Sequence, residues 1–416
     1  MVRYRRLMPC RSRFTIPLVG LVLLAAALVS GCGNDNWTAR DVPREYSTIQ
    51  AAVNAAEPGD LVRIAPGDYH EQVMVPPSKR DIVIRGVDRN RVVLDGGKGE
   101  SANGIVVHAN GVAVENLTVR GYAGSGVLFT PPANAKDPLG GWRAQYITAA
   151  DNGSHGIDAV GAQGGTIEHV WASGHGQAGL RVAECEPCNL LVTDDVAERN
   201  NVGLEATNAG GNIVVVHSVF RDNRAGVMLT SSASDESFHQ QDAAVVGNVI
   251  ADNSNRHAPG DGGEFGVGLL VRGGRRDGLA RNRITGHVGA GLMIKASDDT
   301  PAVENSVQGN LLRDNHVDLV LWPGSGQRSS RGSCFAQNRF ETSLPPGIEK
   351  LLPCQADVPV HVDESPLPTP PPEVDWRTVA LPGAQQSMPH ARTAKPQPAR
   401  SPRRIDVAKV GVPGEG

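Results

Sequence analysis

Aromatic residues are scarce in this chain: Trp, Tyr and Phe together make up 4% of its 416 residues, whereas glycine accounts for 49. Large aromatic side chains dominate the interior of many globular domains, so their scarcity argues against a wide globular core. Abundant glycine suits tight turns and close backbone contacts. At this length the chain could hold two or three ordinary domains, but one long solenoid, which grows by adding coils, fits equally well.

The chain also lacks an excess of basic charge, since its formal net charge is −4. Five of its arginines lie in the first 31 residues, and the remainder holds 35 basic and 44 acidic residues, a formal charge of −9. An acidic surface repels polyanions that are bound without a bridging cation. This charge balance argues against nucleic-acid binding.

Long apolar runs are rare as well, and the longest, residues 16–29, follows the N-terminal arginines. A basic segment before a short apolar run is typical of a signal peptide. Val29-Ser30-Gly31-Cys32 then resembles a bacterial lipobox, which implies that residues 1–31 are removed and that Cys32 carries lipid. We expect residues 32–44 to form a linker and the protein to be exported, anchored to the outer face of the cytoplasmic membrane or in the cell envelope. The alternative, an uncleaved transmembrane anchor, would need a longer apolar run.

Cysteines are few, and four of them follow Cys32: Cys185, Cys188, Cys334 and Cys354. Disulfides persist in exported proteins. Four cysteines allow three pairings, of which the economical one joins sequence neighbours, Cys185 with Cys188 and Cys334 with Cys354. A metal or redox role for the first pair is the alternative, but zinc needs more ligands and no βαβ pattern surrounds the pair.

A glycine recurs in a fixed context between residues 112 and 322, followed by short apolar alternation. The steps between successive members are 30, 23, 24, 23, 42 and 23 residues, and an extended run and a turn precede most of them. A period of this length, made of strands and turns, predicts a solenoid whose coils stack into a continuous core. The members of this glycine repeat are Gly126, Gly156, Gly179, Gly203, Gly226, Gly268 and Gly291.

Local signals predict how the solenoid begins and ends. Ser47 and Gln50 have capping-box spacing, and an apolar stripe follows until Pro58-Gly59, so a short helix is expected to cover the first coil. Strands are expected at residues 61–64, 72–75, 82–85 and 92–94. Residues 334–354 are interpreted as a C-terminal cap, which places the solenoid at residues 45–355. Residues 356–416 are rich in Pro and poor in apolar side chains, so we expect a disordered tail.

The start of the solenoid resembles a known family. Right-handed parallel β-helix proteins of the pectin-lyase-like superfamily open similarly to Ser47-Thr48-Ile49-Gln50-Ala51-Ala52-Val53, then Pro58-Gly59-Asp60 and Ala65-Pro66-Gly67-Asp68-Tyr69. Their coils are similar to Asp222-Asn223-Arg224-Ala225-Gly226-Val227, and the resemblance spans residues 46–340. It implies an all-β fold, a right-handed parallel β-helix solenoid. It implies no single activity, because relatives include lyases, esterases, uronate epimerases and non-catalytic surface proteins.

Alternation along the strands assigns one set of side chains to the interior, stacked on successive coils: Ile157, Leu180, Leu204, Val227, Leu269 and Leu292. Asparagines occupy the turn before several of these strands. Asn tolerates left-handed turns, and stacked Asn amides can hydrogen-bond along the solenoid. We therefore interpret the following residues as structural: Asn152, Asn200, Asn223 and Asn315.

Most insertions leave the solenoid at one corner, after the strand that follows the repeat glycine. They are residues 131–141, 231–241 and 296–301 and the Cys185–Cys188 loop. Loops on a rigid scaffold carry function, so this edge is predicted to bind a glycan or a protein partner, and it could hold Ca²⁺. The acidic residues of this binding edge are Asp137, Glu184, Glu186, Asp235, Glu236, Asp298 and Asp299.

Catalysis on a uronate polymer would need a base and a cation beside the sugar carboxylate. His155 and Asp158 are the best local pair for this chemistry, and His175 lies one coil further on, where it could share a face with His155. The chain departs from the enzymes of the superfamily, however. It lacks the Asp-Pro-His-Asp motif of the epimerases and the paired aspartates of the pectinesterase and polygalacturonase patterns.

Two functional hypotheses follow. In the first, a membrane-anchored lipoprotein binds an envelope or extracellular polysaccharide, or a protein partner, through its β-helix without catalysis. In the second, the chain is a polysaccharide lyase or a uronate C5-epimerase that uses His155, Asp158 and His175.

Overall fold

A computed structural model of the protein describes residues 37–232, 238–260, 262–297, 300–322, 331–354, 365–400 and 402–414. Cys32 and the expected signal peptide lie outside this part of the chain. No helix within the described ranges is both long and apolar enough to cross a membrane. The compact unit that contains the solenoid begins at Trp37.

The chain coils through three parallel sheets in the repeating order A, B, C. Sheet A contains Ala39–Val42, Leu61–Ile64, Val83–Gly86, Val112–Glu115, Leu139–Gln145, Ala162–Glu168, Leu190–Thr193, Gln241–Val246, Gly278–Ala280, Ser306–Gln308 and Cys334–Ala336. Sheet B contains Gly67–Tyr69, Val92–Asp95, Thr118–Arg120, Thr148–Ala150, Trp171–Ser173, Val196–Glu198, Val219–Arg221, Val249–Ala251, Arg283–Thr285 and Leu311–Arg313. Sheet C contains Val73–Val75, Ile105–Val107, Val127–Phe129, Ile157–Val160, Ala178–Cys185, Ala225–Thr230, Val267–Arg272, Ala290–Lys295, Val317–Trp322 and Ser343–Leu344. The long strand Val202–Val216 turns the corner from sheet C into sheet A.

The register of sheet C confirms the predicted interior stack. Leu180 pairs with Ile157 on one side and Leu204 on the other, and the same register continues through Val227, Leu269 and Leu292. All of these side chains are buried in one continuous core. Because side chains alternate along a strand, the residue that follows each of them faces outward.

The N-terminal end differs from the prediction in two details. The prediction that residues 32–44 form a linker is wrong for the last part of this segment. Ala39–Val42 pairs in parallel with Leu61–Ile64 and forms part of the first coil. The covering helix spans Ile49–Ala55 and is capped by Thr48, one residue later than expected. Gln50 binds the backbone of Met74 and does not complete a capping box. Glu71 accepts the free N–H groups of Ile49 and Gln50 in its place.

Residues 334–354 close the other end of the coils. The short helix Ile348–Leu351 places Ile348 in the core, and the Cys334–Cys354 disulfide joins this segment to the last strand of sheet A. Glu349 accepts hydrogen bonds from the backbone N–H and the side-chain amide of Asn338. Apolar surface and open hydrogen-bonding groups at the end of the solenoid are thereby covered.

The repeat glycines are required by close packing between coils, since none of them has a positive φ. A Cβ built on any of these seven glycines would lie 2.3 to 2.9 Å from the carbonyl oxygen of the equivalent residue in the next coil. For Gly203, the contacts would be 2.7 Å to the Gly226 oxygen and 3.0 Å to Nδ2 of Asn223. The glycine repeat therefore marks where successive coils and a buried column of polar side chains come closest.

That column, which we call the corner ladder, lies at the turn between sheets B and C. Most members accept the backbone N–H of the member before them, as in His175 N to Asn200 Oδ1 at 3.0 Å and Asn200 N to Asn223 Oδ1 at 2.9 Å. His287 instead accepts from the side-chain Nδ2 of Asn253 at 3.2 Å. The predicted Asn stacking is therefore confirmed. The column also contains members that the prediction did not include. In chain order it consists of Asn152, His175, Asn200, Asn223, Asn253, His287 and Asn315.

Two histidines occupy Asn positions in this ladder. The backbone N–H of Asn152 donates to Nδ1 of His175 at 3.2 Å, so this nitrogen must be unprotonated. Burial lowers the pKa of His175 to about 3 and that of His287 to about 4. Both rings are fully buried. The ladder thus depends on neutral imidazoles at these two positions.

The expectation of a disordered tail is wrong for the described residues 365–400 and 402–414, which we call the tail. They run along the solenoid toward its N-terminal coils and then back over sheet A. Three buried arginines donate to backbone carbonyls of the tail: Arg224 to Pro371 and Pro372, Arg89 to Gln386, and Arg85 to Ala394.

This ordering has a physical cause that composition alone does not reveal. An extended Pro-rich segment leaves its carbonyl oxygens unpaired, and a buried guanidinium is costly unless its N–H groups are bonded. Further along, Val410 packs against Leu191, Val216 and Val246 on the outward face of sheet A. The tail therefore supplies both acceptors for buried cations and cover for apolar surface.

We predict that Gly203→Ala lowers the free energy of unfolding by about 1–3 kcal/mol, because its Cβ would force two coils apart. Gly411→Ala is the matched control, since no atom lies within 4 Å of the added Cβ. Denaturant unfolding of both variants measures the difference. Equal stability of the two would show that close coil packing does not explain the repeat.

We also predict that His175→Asn makes the protein more resistant to acid. Because the folded-state pKa of His175 is depressed to about 3, its contribution is complete above the usual pKa of about 6.5 and is lost as pH falls below that value. The variant should match the wild type near pH 7.5 and exceed its stability by about 2 kcal/mol near pH 4.5. Thermal or urea unfolding across this pH range tests it. His217→Asn, the same substitution at an exposed position outside the corner ladder, is the control.

Candidate functional site

The predicted pair of His155 and Asp158 forms a cluster at the outward side of sheet C. Ile157 and Ala159 point into the core, so the strand directs Asp158 outward. Nδ1 of His155 lies 3.3 Å from Oδ2 of Asp158. Ser125, one coil earlier, donates to the same carboxylate oxygen at 3.1 Å. The cluster thus joins two coils through one carboxylate.

Arg181 completes this cluster from the following coil. It pairs with Asp158 in the parallel register and donates to Oδ1 at 3.2 Å. Burial raises the pKa of Asp158, but the hydrogen bond from His155 and the charges of His155 and Arg181 outweigh it, so the pKa lies below its usual value. Asp158 is therefore held as a carboxylate between two basic side chains.

The other ring nitrogen of His155, Nε2, is buried and has no hydrogen-bond partner in the described part of the chain. The whole residue is 5% exposed. His175 lies nearby but belongs to the corner ladder, which corrects the expectation that the two histidines share a face. The predicted catalytic trio is thus divided into a largely buried pair on the outward side of sheet C, His155 and Asp158, and a scaffold residue, His175.

A groove of about 390 Å³ adjoins the cluster on the outward face of sheet C. Its floor contains Arg181, Glu205 and Met228, the outward residues of three successive coils. Gln177 and Asn201 add amide groups at the turn next to sheet B. The full lining consists of His155, Gln177, Arg181, Asn201, Val202, Glu205, Met228, Gly263, Glu264 and Arg272. We call this cavity the C groove.

An insertion between sheets B and C forms one end of the C groove. Phe265 is buried, and the guanidinium groups of Arg224 and Arg256 lie over its ring. Glu264, next to it, forms an ion pair with Lys295 and lies 3.8 Å from Arg272. These contacts fix a carboxylate and a guanidinium at the rim of the groove.

The predicted acidic binding edge receives less support. Asp137, Glu184 and Glu186 are exposed at the corner between sheets C and A, as their spacing indicated. The remaining four residues, Asp235, Glu236, Asp298 and Asp299, lie outside the described residues. Within the described ranges, the grouping of side chains that could hold a metal ion contains none of the seven.

That grouping consists of Glu168, His169 and Asp194, at the corner between sheets A and B. Arg403 of the tail donates to Glu168 at 3.0 Å and lies 3.9 Å from Asp194. The guanidinium of Arg403 thus supplies positive charge to these two carboxylates, where a metal ion would otherwise do so. The predicted Ca²⁺ remains a prediction.

The disulfides join Cys185 to Cys188 and Cys334 to Cys354. This confirms the pairing of sequence neighbours. Cys185 and Cys188 are buried in the core at the turn between sheets C and A. Their role in the described structure is to close this turn.

Sequence reasoning missed Arg181, Glu205 and Met228, although the signal was present. Each directly follows a member of the predicted interior stack, so strand alternation places it outward. Glu264 and Arg272 carried no such signal, because only the packing of the insertion brings them to the groove. The outward positions on adjacent coils are therefore the part of this site that the sequence can predict.

Comparison with known proteins concerns the fold. Residues 103–312, half of the chain, match the family model of the right handed beta helix region. The Dettilon tailspike protein is 11% identical, with a TM-score of 0.53 over 73% of this chain and 62% of its own. A mannuronan C-5 epimerase A-module from Azotobacter vinelandii is 16% identical, with a TM-score of 0.49 over 71% of this chain and 91% of its own.

An alginate lyase from Paenibacillus sp. is 14% identical, with a TM-score of 0.40 over 73% of this chain and 99% of its own. No curated protein sequence matches the chain significantly. At these identities the structural likeness shows the fold alone. The family match and the stacked parallel coils agree with the resemblance noted in the sequence. The chain belongs to the right-handed parallel β-helix family.

Proposed function

We propose that this protein is an exported, membrane-anchored β-helix that binds a polysaccharide in the C groove without turning it over. One observation carries the proposal: the outward face of sheet C presents an open groove lined by planar hydrogen-bonding side chains on successive coils. A groove that runs across repeating coils suits a polymer that repeats along its length.

The chemistry of the lining suits sugar hydroxyls. Gln177 and Asn201 offer both donors and acceptors, Glu205 accepts, and Arg181 donates. Met228 and Val202 add apolar surface against which the C–H groups of a sugar ring can pack. Ligand sites commonly combine a few positioned polar groups with apolar contact of this kind.

Binding is favoured over catalysis by the position of His155. A general base must come within hydrogen-bond reach of the proton that it removes. Nε2 is buried, and Nδ1 faces Asp158. In this arrangement neither ring nitrogen is open to a ligand in the groove.

A lyase or uronate epimerase is the second candidate, and the His155, Asp158 and Arg181 cluster favours it. A carboxylate that orients an imidazole, next to a guanidinium that could neutralise a uronate, supplies a base and a cation. This function requires the ring of His155 to become accessible when the substrate binds.

The test uses the full-length protein and immobilised alginate, pectate, glycosaminoglycans and neutral glucans. Arg181→Gln and Glu205→Gln should each weaken binding about tenfold, because each removes a charged hydrogen-bonding group. Arg313→Gln removes the same charge as Arg181→Gln, but on the exposed face of sheet B, and should leave affinity unchanged. Groove variants that bind as tightly as the wild type would refute the C groove as the site.

The same incubations decide between the two candidates. We expect no unsaturated uronate absorbance and no change in the uronate isomer ratio. If the wild type turns over a polymer and His155→Ala does not, the protein is a lyase or epimerase and the proposal of binding without catalysis is refuted. Turnover that survives in His155→Ala would place catalysis elsewhere on the chain.

Membrane anchoring is the remaining part of the proposal, and the lipobox-like Val29-Ser30-Gly31-Cys32 supports it. We predict that the exported wild-type protein is found in the membrane fraction and that Cys32→Ser is released from it. Fractionation with detection of the lipid on the protein measures both. Retention of Cys32→Ser on the membrane would contradict anchoring through lipid.

A further inference from the structure

A second concave surface lies on sheet A, where the returning tail crosses the strands. The tail leaves two cavities of about 710 and 230 Å³, and both are lined by Leu191, Pro402 and Arg403. They therefore adjoin each other at one stretch of the tail. We call them together the tail cleft. It lies on a different sheet from the C groove.

Positive charge is concentrated at this cleft in a chain whose formal net charge is −4. Arg143, Arg400 and Arg403 line the smaller cavity, and Arg403 and Arg404 line the larger one. Arg143 binds Glu115 at 2.6 Å, and Arg403 binds Glu168 at 3.0 Å. These two cations are therefore already neutralised within the protein.

Arg400 and Arg404 differ from them. Both are exposed, and within the described ranges neither has an ion-pair partner. Arg400 lines the smaller cavity and Arg404 the larger one. Two uncompensated guanidinium groups thus face the tail cleft, and a guanidinium binds carboxylate, sulfate or phosphate groups through paired N–H donors.

The larger cavity adds uncharged hydrogen-bonding groups. Gln163, Asn189 and Asn212 line it from successive coils at the corner between sheets C and A. Nδ2 of Asn212 donates to Oδ1 of Asn189 at 3.2 Å, and Nε2 of Gln163 donates to the Glu186 carbonyl at 3.4 Å. Each amide has further donor or acceptor capacity for a ligand. Side-chain amides repeated along the solenoid suit hydroxyl groups repeated along a polymer.

We propose that the tail cleft is a second binding site, which takes a segment of a linear anionic polysaccharide. The guanidinium groups of Arg400 and Arg404 bind its acidic groups, and the amides bind its hydroxyls. A flat lipid surface fits less well, because the amides line a concave cleft that a chain can enter. Engagement of two polymer segments by one protein would raise the overall avidity.

The inference goes beyond the proposed function, since it concerns another sheet and other residues. The test uses the full-length protein and the double variant Arg400→Gln/Arg404→Gln. Probes are soluble alginate and chondroitin sulfate for the carboxylated and sulfated cases, neutral dextran, and vesicles that contain phosphatidylglycerol. Arg313→Gln serves as the charge control and Arg181→Gln as the C groove control.

The double variant should lose at least about tenfold in affinity for one of the two anionic polymers, while Arg313→Gln changes nothing. The binding attributable to the cleft should weaken as salt rises, and dextran should show none of it. The variant Arg181→Gln should retain this salt-sensitive component. If Arg181→Gln retains the salt-sensitive binding, the tail cleft is a site distinct from the C groove, and this conclusion holds even if the C groove proposal fails.

Three results would overturn the inference. The first is a double variant that binds both polymers as the wild type does. The second is wild-type protein that binds neither polymer more tightly than dextran. The third is loss of vesicle binding alone, which would assign the arginines to a lipid surface.

Discussion

The structure depends on the hydrogen bonds that join successive coils at the corner between sheets B and C, from Asn152 to Asn315. A backbone N–H there donates to the buried side chain of the following coil, as Asn200 does to Asn223. An unpaired N–H in this interior would cost about 1–3 kcal/mol, so each coil needs the next one in register. The ladder side chains press against the repeat glycines, where any larger residue would push the coils apart. One interaction thereby fixes both the coil spacing and the glycine period.

That constraint separates scaffold from working surface. The corner ladder holds polar residues that would suggest catalysis if read alone, above all His175 and His287, yet burial keeps them neutral and bonded within the protein. With coils held in register, outward side chains on neighbouring strands form continuous columns. Arg181 and Glu205 are adjacent for this reason. The C groove is a product of the same register that the ladder enforces.

Much of the fold could be predicted from local sequence patterns, because the same pattern recurs in coil after coil. Strand alternation placed Ile157 and Leu180 in the interior, and sequence proximity paired Cys334 with Cys354. The ordered conformation of the tail could not be predicted from the sequence, since it depends on contacts with residues far away in the chain, such as Arg224 with Pro371. Composition describes the tail itself and not the buried guanidinium groups that require its carbonyl oxygens.

The site was predictable only in part for a related reason. His155 and Asp158 are close in sequence, so their pairing was foreseeable. Arg181 required the register between coils, and Glu264 required the packing of an insertion around Phe265. The acidic residues at the corner between sheets C and A were predicted to form a binding edge from their charge and loop position. These two features do not establish that the carboxylates lie close together. Function on a solenoid is therefore assembled across coils.

Hydrogen exchange of the turn amides tests the ladder most directly. The backbone N–H groups of Asn152, His175, Asn200 and Asn223 lie in turns, which ordinarily exchange quickly, yet each donates to a buried ladder atom. We predict that these amides exchange as slowly as the central strands of the sheets, through global unfolding. Exchange at the rate of the exposed turn at His217 would contradict the claim that the corner ladder holds the coils together.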